Sequence, residues 1–180
     1  MRKELYKKIE IPAGISAEIE GTIVKITGPE GENTRNFRIG SLELKKSGNE
    51  ISIGRKKATK NEKKLMNTIA AHIKNMINGV REKFEYELKA VFNHFPMTIE
   101  VKGREVSVKN FLGEKIPRKI SIPLGVEIEI NGNVIKVKST DRELAGQAAA
   151  NLENVTRIRL RDRRVFQDGI FMTKKPGRDI

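Results

Sequence analysis

The chain matches itself. Set 82 positions apart, Ile19 falls on Val101, Gly21 on Gly103, Val24 on Val106 and Ile26 on Val108, with Gly31 on Gly113 and Glu32 on Glu114. Two residues of slip then bring Leu42 onto Val126, Glu43 onto Glu127 and Leu44 onto Ile128, and Gly48-Asn49 onto Gly132-Asn133. Ile51 and Ile53 meet Ile135 and Val137, and with the slip nearly undone Thr59 and Glu62 meet Thr140 and Glu143. A match that keeps its order through most of each half implies one supersecondary unit used twice. A rival alignment, 111 apart, lays IEIPAGISAEIEGTIVKI on ISIPLGVEIEINGNVIKV, with Pro12 on Pro123 and Gly14 on Gly125. It has more identities over a short span, but apolar alternation around a glycine turn is common to hairpins in general. The shorter offset is preferred because it carries hairpin, loop, hairpin and helix in sequence.

Each half reads as the same α+β unit. In the first, 15–20 and 22–27 alternate apolar with polar around Glu20-Gly21, and 41–46 and 50–54 do so around Ser47-Gly48-Asn49. Thr59 and Glu62 form a capping box, followed at helical spacing by Leu65, Met66, Ile69, Ile73, Met76, Ile77 and Val80. The second half predicts strands near 84–91, 97–102, 104–109, 126–131 and 133–138. Thr140 and Glu143 again read as a capping box, ahead of a stripe of Leu144, Ala145, Ala148, Ala149, Leu152 and Val155. The expected fold is two tandem repeats, 1–82 and 83–156, each an antiparallel β-sheet packed against one α-helix. Residues 157–180 follow as a basic tail packed on the second repeat.

Charge narrows the partner. Thirty-six Lys and Arg against 23 Asp and Glu give +13 over 180 residues. A field of that sign favours polyanions, nucleic acid before a membrane surface. The absence of cysteine excludes disulfides, thiolate nucleophiles and zinc ribbons, and two histidines are too few for a His-rich metal site. The amino terminus lacks the apolar run of a signal peptide, and no stretch approaches the roughly 20 apolar residues of a membrane span. A soluble intracellular protein is the expectation.

The positive charge is clustered. Residues 54–64 (GRKKATKNEKK) carry six basic side chains and one acid. They suit either a solvated loop and helix start or a binding surface. Residues 156–180 carry eight, Arg157, Arg159, Arg161, Arg163, Arg164, Lys174, Lys175 and Arg178, against three acids. Arginine makes bidentate bonds to phosphate and stacks on bases, so the tail is the stronger nucleic-acid candidate. Phe166 suits stacking on an unpaired base or packing equally, whereas Ile170 and Phe171 read as packing residues of an edge segment, and Asp168-Gly169 as a tight turn. Lys102, Arg104, Lys109, Lys115, Arg118 and Lys119 add charge around turns of the second half.

Catalytic patterns do not emerge. The sequence has no GxGxxG, Walker-type loop, HExxH or GxSxG. His72 lies beside the apolar stripe of the first helix and His94 in a turn context, His94-Phe95-Pro96. Neither has a partner group legible nearby, so no catalytic residue, metal ligand or cofactor is expected.

The duplicated sheet–helix order, the opening IEIPAGI and the tail RRVFQDGIFMTKK resemble the universal ribosomal protein L-six family of the large ribosomal subunit, in its archaeal and eukaryotic form. The resemblance spans almost the whole chain. It implies a non-enzymatic constituent of the large subunit, cytoplasmic in the ribosome, with large-subunit ribosomal RNA and neighbouring ribosomal proteins as partners. Neither a membrane nor a small-molecule substrate is implied. It further implies docking of the second domain near the sarcin–ricin loop, where translation factors bind, through the segment Arg157 to Lys175, with Arg104 and Lys119 nearby. The alternative is a free nucleic-acid-binding architectural protein, which would bind duplex DNA comparably and leave no fixed ribosomal footprint.

Overall fold

The structure, a computed structural model, describes residues 3–180 and divides into two compact units with the boundary between Lys83 and Phe84. The first contains β1 (Lys3–Glu10), β2 (Ser16–Glu20), β3 (Ile23–Gly28), β4 (Gly31–Asn36), β5 (Glu43–Ser47), β6 (Glu50–Ala58) and α1 (Lys60–Arg81). Its strands form two antiparallel three-stranded sheets, ordered β1-β6-β5 and β2-β3-β4. Alternation sends Val24 and Ile26 of β3 and Ile51 and Ile53 of β6 inward, where they meet Ile69, Ile73, Ile77 and Val80 of α1. The helix begins where the sequence places it. Glu62 N–H donates to Thr59 Oγ1 (3.4 Å), and Thr59 N–H donates to Glu62 Oε2 (2.6 Å). Hydrogen bonds from Ser41 and Thr59, with the Arg55 guanidinium beside it, hold Glu62 down to about 2.

The second unit contains β7 (Phe84–Val91), β8 (Thr98–Lys102), β9 (Glu105–Lys109), β10 (Arg118–Ser121), β11 (Glu127–Asn131), β12 (Val134–Ser139), α2 (Arg142–Val155), β13 (Gly169–Lys175) and β14 (Arg178–Asp179). Its sheets are ordered β8-β9-β10 and β11-β12-β7-β13-β14. The segment β7-β12-β11 reproduces β1-β6-β5, and β8-β9-β10 reproduces β2-β3-β4, so the expected two sheet-and-helix repeats are present. Hairpin glycines repeat too: Gly21 and Gly103 have φ of 61° and 60°, and Gly48 and Gly132 have 60° and 61°.

Several elements differ from the sequence reading. β1, β4, β10 and β13 are strands that hydrophobic alternation did not announce. β4 (GENTRN) is polar throughout and is a strand because its backbone pairs with β3. Residues 54–64 contain the expected helix start, but what precedes it is the end of β6 rather than a loop, with Thr59 alone between them. The capping residue of α2 is Asp141, not Thr140: Asp141 Oδ1 accepts from the Glu143 amide at 2.8 Å. Leu144 points outward at 36 % exposure, so the inner face is made by Ala145, Ala148, Ala149 and Leu152. Among the described residues no helix is long and apolar enough to cross a membrane.

One close approach in the first unit is open to test. A Cβ built on Gly54 would stand 2.7 Å from Tyr6 Cα and closer still to the Leu5 carbonyl oxygen, both backbone atoms of the paired strand. Gly54→Ala must therefore part β1 from β6, and should lower stability by about 1–3 kcal/mol or more, read as a drop in the urea midpoint.

Candidate nucleic-acid interface

The tail begins where α2 ends and is fixed at two points before it becomes β13. Thr156, 3 % exposed, donates to the Glu153 carbonyl (3.2 Å) and accepts from the Ile170 amide (2.8 Å), tying the first residue of the loop to the strand that follows it. The second anchor is Asp168, which is 1 % exposed. Its Oδ2 accepts from the His94 amide (3.1 Å), and its Oδ1 lies 2.8 Å from His94 Nδ1. A carboxylate only accepts, so Nδ1 carries the proton. Burial pushes the Asp168 carboxyl up, but hydrogen bonds from the His94 ring and from the His94 and Asn93 amides outweigh it and hold the group below the usual aspartate range. Asp168-Gly169 is thus an interior anchor rather than a tight turn, and His94, in the bend between β7 and β8 as expected, is its partner.

Between the anchors the chain bulges outward. The Asp162 carbonyl accepts from the Val165 and Phe166 amides at 3.2 and 2.9 Å, and its Oδ1 accepts from the Arg164 amide at 2.9 Å. Leu160 adopts a left-handed φ of 57° with its side chain wholly in solvent, and Val165 is also exposed. Arg118 braces the loop's start. It donates to both Glu114 oxygens (2.5 and 2.7 Å), to the Val155 carbonyl (2.7 Å) and more weakly to that of Arg157 (3.4 Å), while lying over the Phe111 ring. Those bonds hold Glu114 below its ordinary range.

The tail's basic residues fall into groups. Arg164 pairs with Asp162 (2.8 Å), and Arg161 lies over the Phe166 ring, 4.8 Å from its centroid. Lys174 is 3.9 Å from Asp179, while Lys175 and Arg178 face each other across the β13–β14 pair. The guanidinium groups of Arg157, Arg159 and Arg163 make no hydrogen bond or ion pair among the described residues, and all three residues are exposed. Arg157, Arg163 and Phe166 line one cleft of about 620 Å³, together with Val91, Ile158 and Phe171. Arg104 and Lys119 stand elsewhere. Arg104 donates to the Ile122 carbonyl (3.3 Å) and borders a different groove, and Lys119 pairs with Glu105 (2.9 Å).

Of the tail's aromatics, Phe166 takes the packing alternative and Phe171 departs from its reading. Phe166 is half-buried and stacked on His94, with centroids 4.9 Å apart and planes 24° apart. Phe171, read as a packing residue, is 43 % exposed, whereas Ile170 is buried at 1 % as expected. β13 pairs with β7 along its length and with β14 only at Lys174 and Lys175, so at Ile170 and Phe171 it is the edge of the sheet, as expected. His94, Asp168 and Arg118 hold the frame of this loop, a role the sequence reading gave to none of them. The only signal for the first two was the presence of a histidine and an acid in the same half.

A family profile described as ribosomal protein L6 matches residues 11–83 and again residues 95–169. The large ribosomal subunit protein uL6 of Archaeoglobus fulgidus is 41 % identical over 180 residues, covering 96 % of this chain and 92 % of the relative. That of Sulfurisphaera tokodaii is 42 % identical over 172 residues (95 % and 92 %), and that of Methanothrix thermoacetophila 39 % over 175 (97 % and 99 %).

The Asp168 anchor predicts a pH dependence of definite sign. Its folded-state value lies below the ordinary aspartate value of about 3.9, so the unfolded chain takes up the proton first as pH falls. Its contribution is complete above that value and declines as pH drops toward and through the lowered one. Asp168→Asn should lower stability at neutral pH by about 1.5–3 kcal/mol, the worth of hydrogen bonds to a charged group. It should also flatten the fall in unfolding free energy below about pH 4, measured by urea titration from pH 7 to 3.

Proposed function

The chain belongs to the ribosomal protein L6 family, and we propose from that premise that it binds large-subunit ribosomal RNA through the loop 157–168 and the strand that follows. Members of this family are structural rather than catalytic, and the chain is a constituent of the large ribosomal subunit. The finer reading rests on one observation. Arg157, Arg159 and Arg163 project, unpaired among the described residues, from a loop whose two ends are held by hydrogen bonds to the buried Thr156 and Asp168. Exposed cations on a preformed frame neutralise backbone phosphates and release condensed counterions, with little ordering left to be done on binding. A non-duplex RNA surface, presented by shape and by exposed loops, is the target this suits.

The family resemblance adds location: a site near the sarcin–ricin loop and the region where translation factors bind, with neighbouring ribosomal proteins around it and the particle in the cytoplasm. The paired states of Arg104 and Lys119 make them secondary contacts. The rival reading, a free DNA-architectural protein, predicts equal affinity for duplex DNA.

Chemical footprinting of large-subunit RNA with the purified protein tests the proposal. Protection confined to the sarcin–ricin region is the expected result, and protection indifferent to RNA sequence and structure would refute it. Changing Arg157, Arg159 and Arg163 together to alanine should leave the circular dichroism spectrum intact. The slope of log affinity against log salt should fall by roughly 2–3, close to one for each phosphate no longer neutralised.

A further inference from the structure

Building on that RNA-binding reading, we propose that the cleft beside β13 receives a single unpaired nucleobase of the ribosomal RNA, stacked on Phe171. The cleft, at about 620 Å³, falls within the roughly 300–1,000 Å³ typical of small-ligand sites. Its accessible aromatic is Phe171 rather than Phe166. The Phe166 ring is already stacked on His94 and covered by Arg161, and so serves as a wall. Phe171 and Val91 are 43 % and 39 % exposed and sit on the sheet face opposite the buried Ile170 and Ala90. The tip of the Phe171 ring rests over Gly169, where a Cβ would stand 3.2 Å from Cζ, so the absence of a side chain there lets the ring lie against the strand.

The charges around this platform select the occupant. Arg157 and Arg163 line the cleft without protein partners, and Lys89, directly across the β13–β7 register from Phe171, is exposed and likewise unpaired among the described residues. Three free cations around an aromatic face fit a base with its flanking phosphates. Glu153 and Asn154 border the same cleft and bring an acceptor and an amide within its lining residues. An aliphatic side chain from a neighbouring protein would leave the cations without counter-charge and those polar groups without partners. Asp168 also borders the cleft, but its carboxylate is turned to His94 and is 1 % exposed, so it presents little repulsion to a phosphate.

The test uses the full chain with methyl-labelled Val and Ile. It is titrated with the trinucleotide ApApA and with the same trinucleotide lacking its central base. ApApA should move the Val91 and Ile158 methyl resonances by ring-current shifts, and the abasic version should bind at least about tenfold more weakly. Phe171→Ala should weaken ApApA about fivefold or more, the low end of base–aromatic stacking, and Phe171→Tyr should restore it. Equal binding of the abasic probe, or unmoved methyls, would overturn the proposal whether or not the alanine variant folds. If Phe171→Ala binds large-subunit RNA as tightly as the unaltered protein, base stacking falls while RNA binding stands. If the unaltered protein fails to retain that RNA, both fall. In assembled subunits, a benzoylphenylalanine crosslinker replacing Val91 should yield an RNA adduct, and a protein adduct instead would assign the cleft to a neighbouring chain and sink the idea.

Discussion

Each unit of this protein must cover its sheets with one helix, and the two units solve that problem differently. In the first, α1 supplies volume: Met66, Ile69, Ile73, Met76, Ile77 and Val80 are all buried against the strands. In the second, α2 offers Ala145, Ala148 and Ala149, fully buried but small, with Leu152 as the one large side chain. A helix with an alanine face lies close to its sheet and fills little space, so the strands and loops must supply the bulk. They do so with Tyr86, Leu88, Ile135 and Phe111, and with Ile170 from β13. Gly146 marks the closeness, since a Cβ there would stand 3.1 Å from the Tyr86 hydroxyl. β13 therefore does two jobs: it buries Ile170 under α2, and it turns Phe171 outward on the opposite face.

The duplication was legible because it is written in order, not in identities. The alignment 82 apart holds element by element, β2 and β3 onto β8 and β9, and with slight slip β5 and β6 onto β11 and β12. The rival at 111 also has a physical source. Gly14 and Gly125 have φ of 88° and 80°, and IPAG and IPLG each lead out of one strand and into the next. Similar local chains arise wherever such a turn is needed, whatever the surrounding topology. What stayed hidden were strands whose side chains carry no alternation, β4 above all, because backbone pairing leaves no trace in composition.

In the tail the charge was legible and its disposition was not. Eight basic residues in the tail could be counted, but not that Arg164 is occupied by Asp162, or Arg161 by Phe166. The packing of Phe166 depends on His94, which is 74 positions from Asp168 in the chain and in contact with it in the fold. No periodicity or spacing rule reaches across that separation. Residues 54–64 illustrate the converse, for a run of like charge that could have been a loop turns out to be regular structure with Arg55 engaged by Glu62 and Ser41.

A loop dense in arginine faces a conflict of its own. Its arginines repel one another, and an acid that relieves the repulsion also weakens the positive field the loop presents. Here the nearby acids are engaged by the frame itself, Asp168 in the interior and Asp162 and Glu114 at the surface. Asp168 is buried and holds His94, and through the stacked ring it helps position Phe166. Asp162 accepts backbone amides of its own turn and fixes Arg164 beside it. Glu114 is bound at both oxygens by Arg118, which in turn ties down the Val155 carbonyl. Each negative charge thus removes conformational freedom from the frame while leaving Arg157, Arg159 and Arg163 uncompensated. Carboxylate hydrogen bonds that order the loop in advance lower the entropy it would lose on meeting a partner, and they leave these three arginines without a paired acid among the described residues.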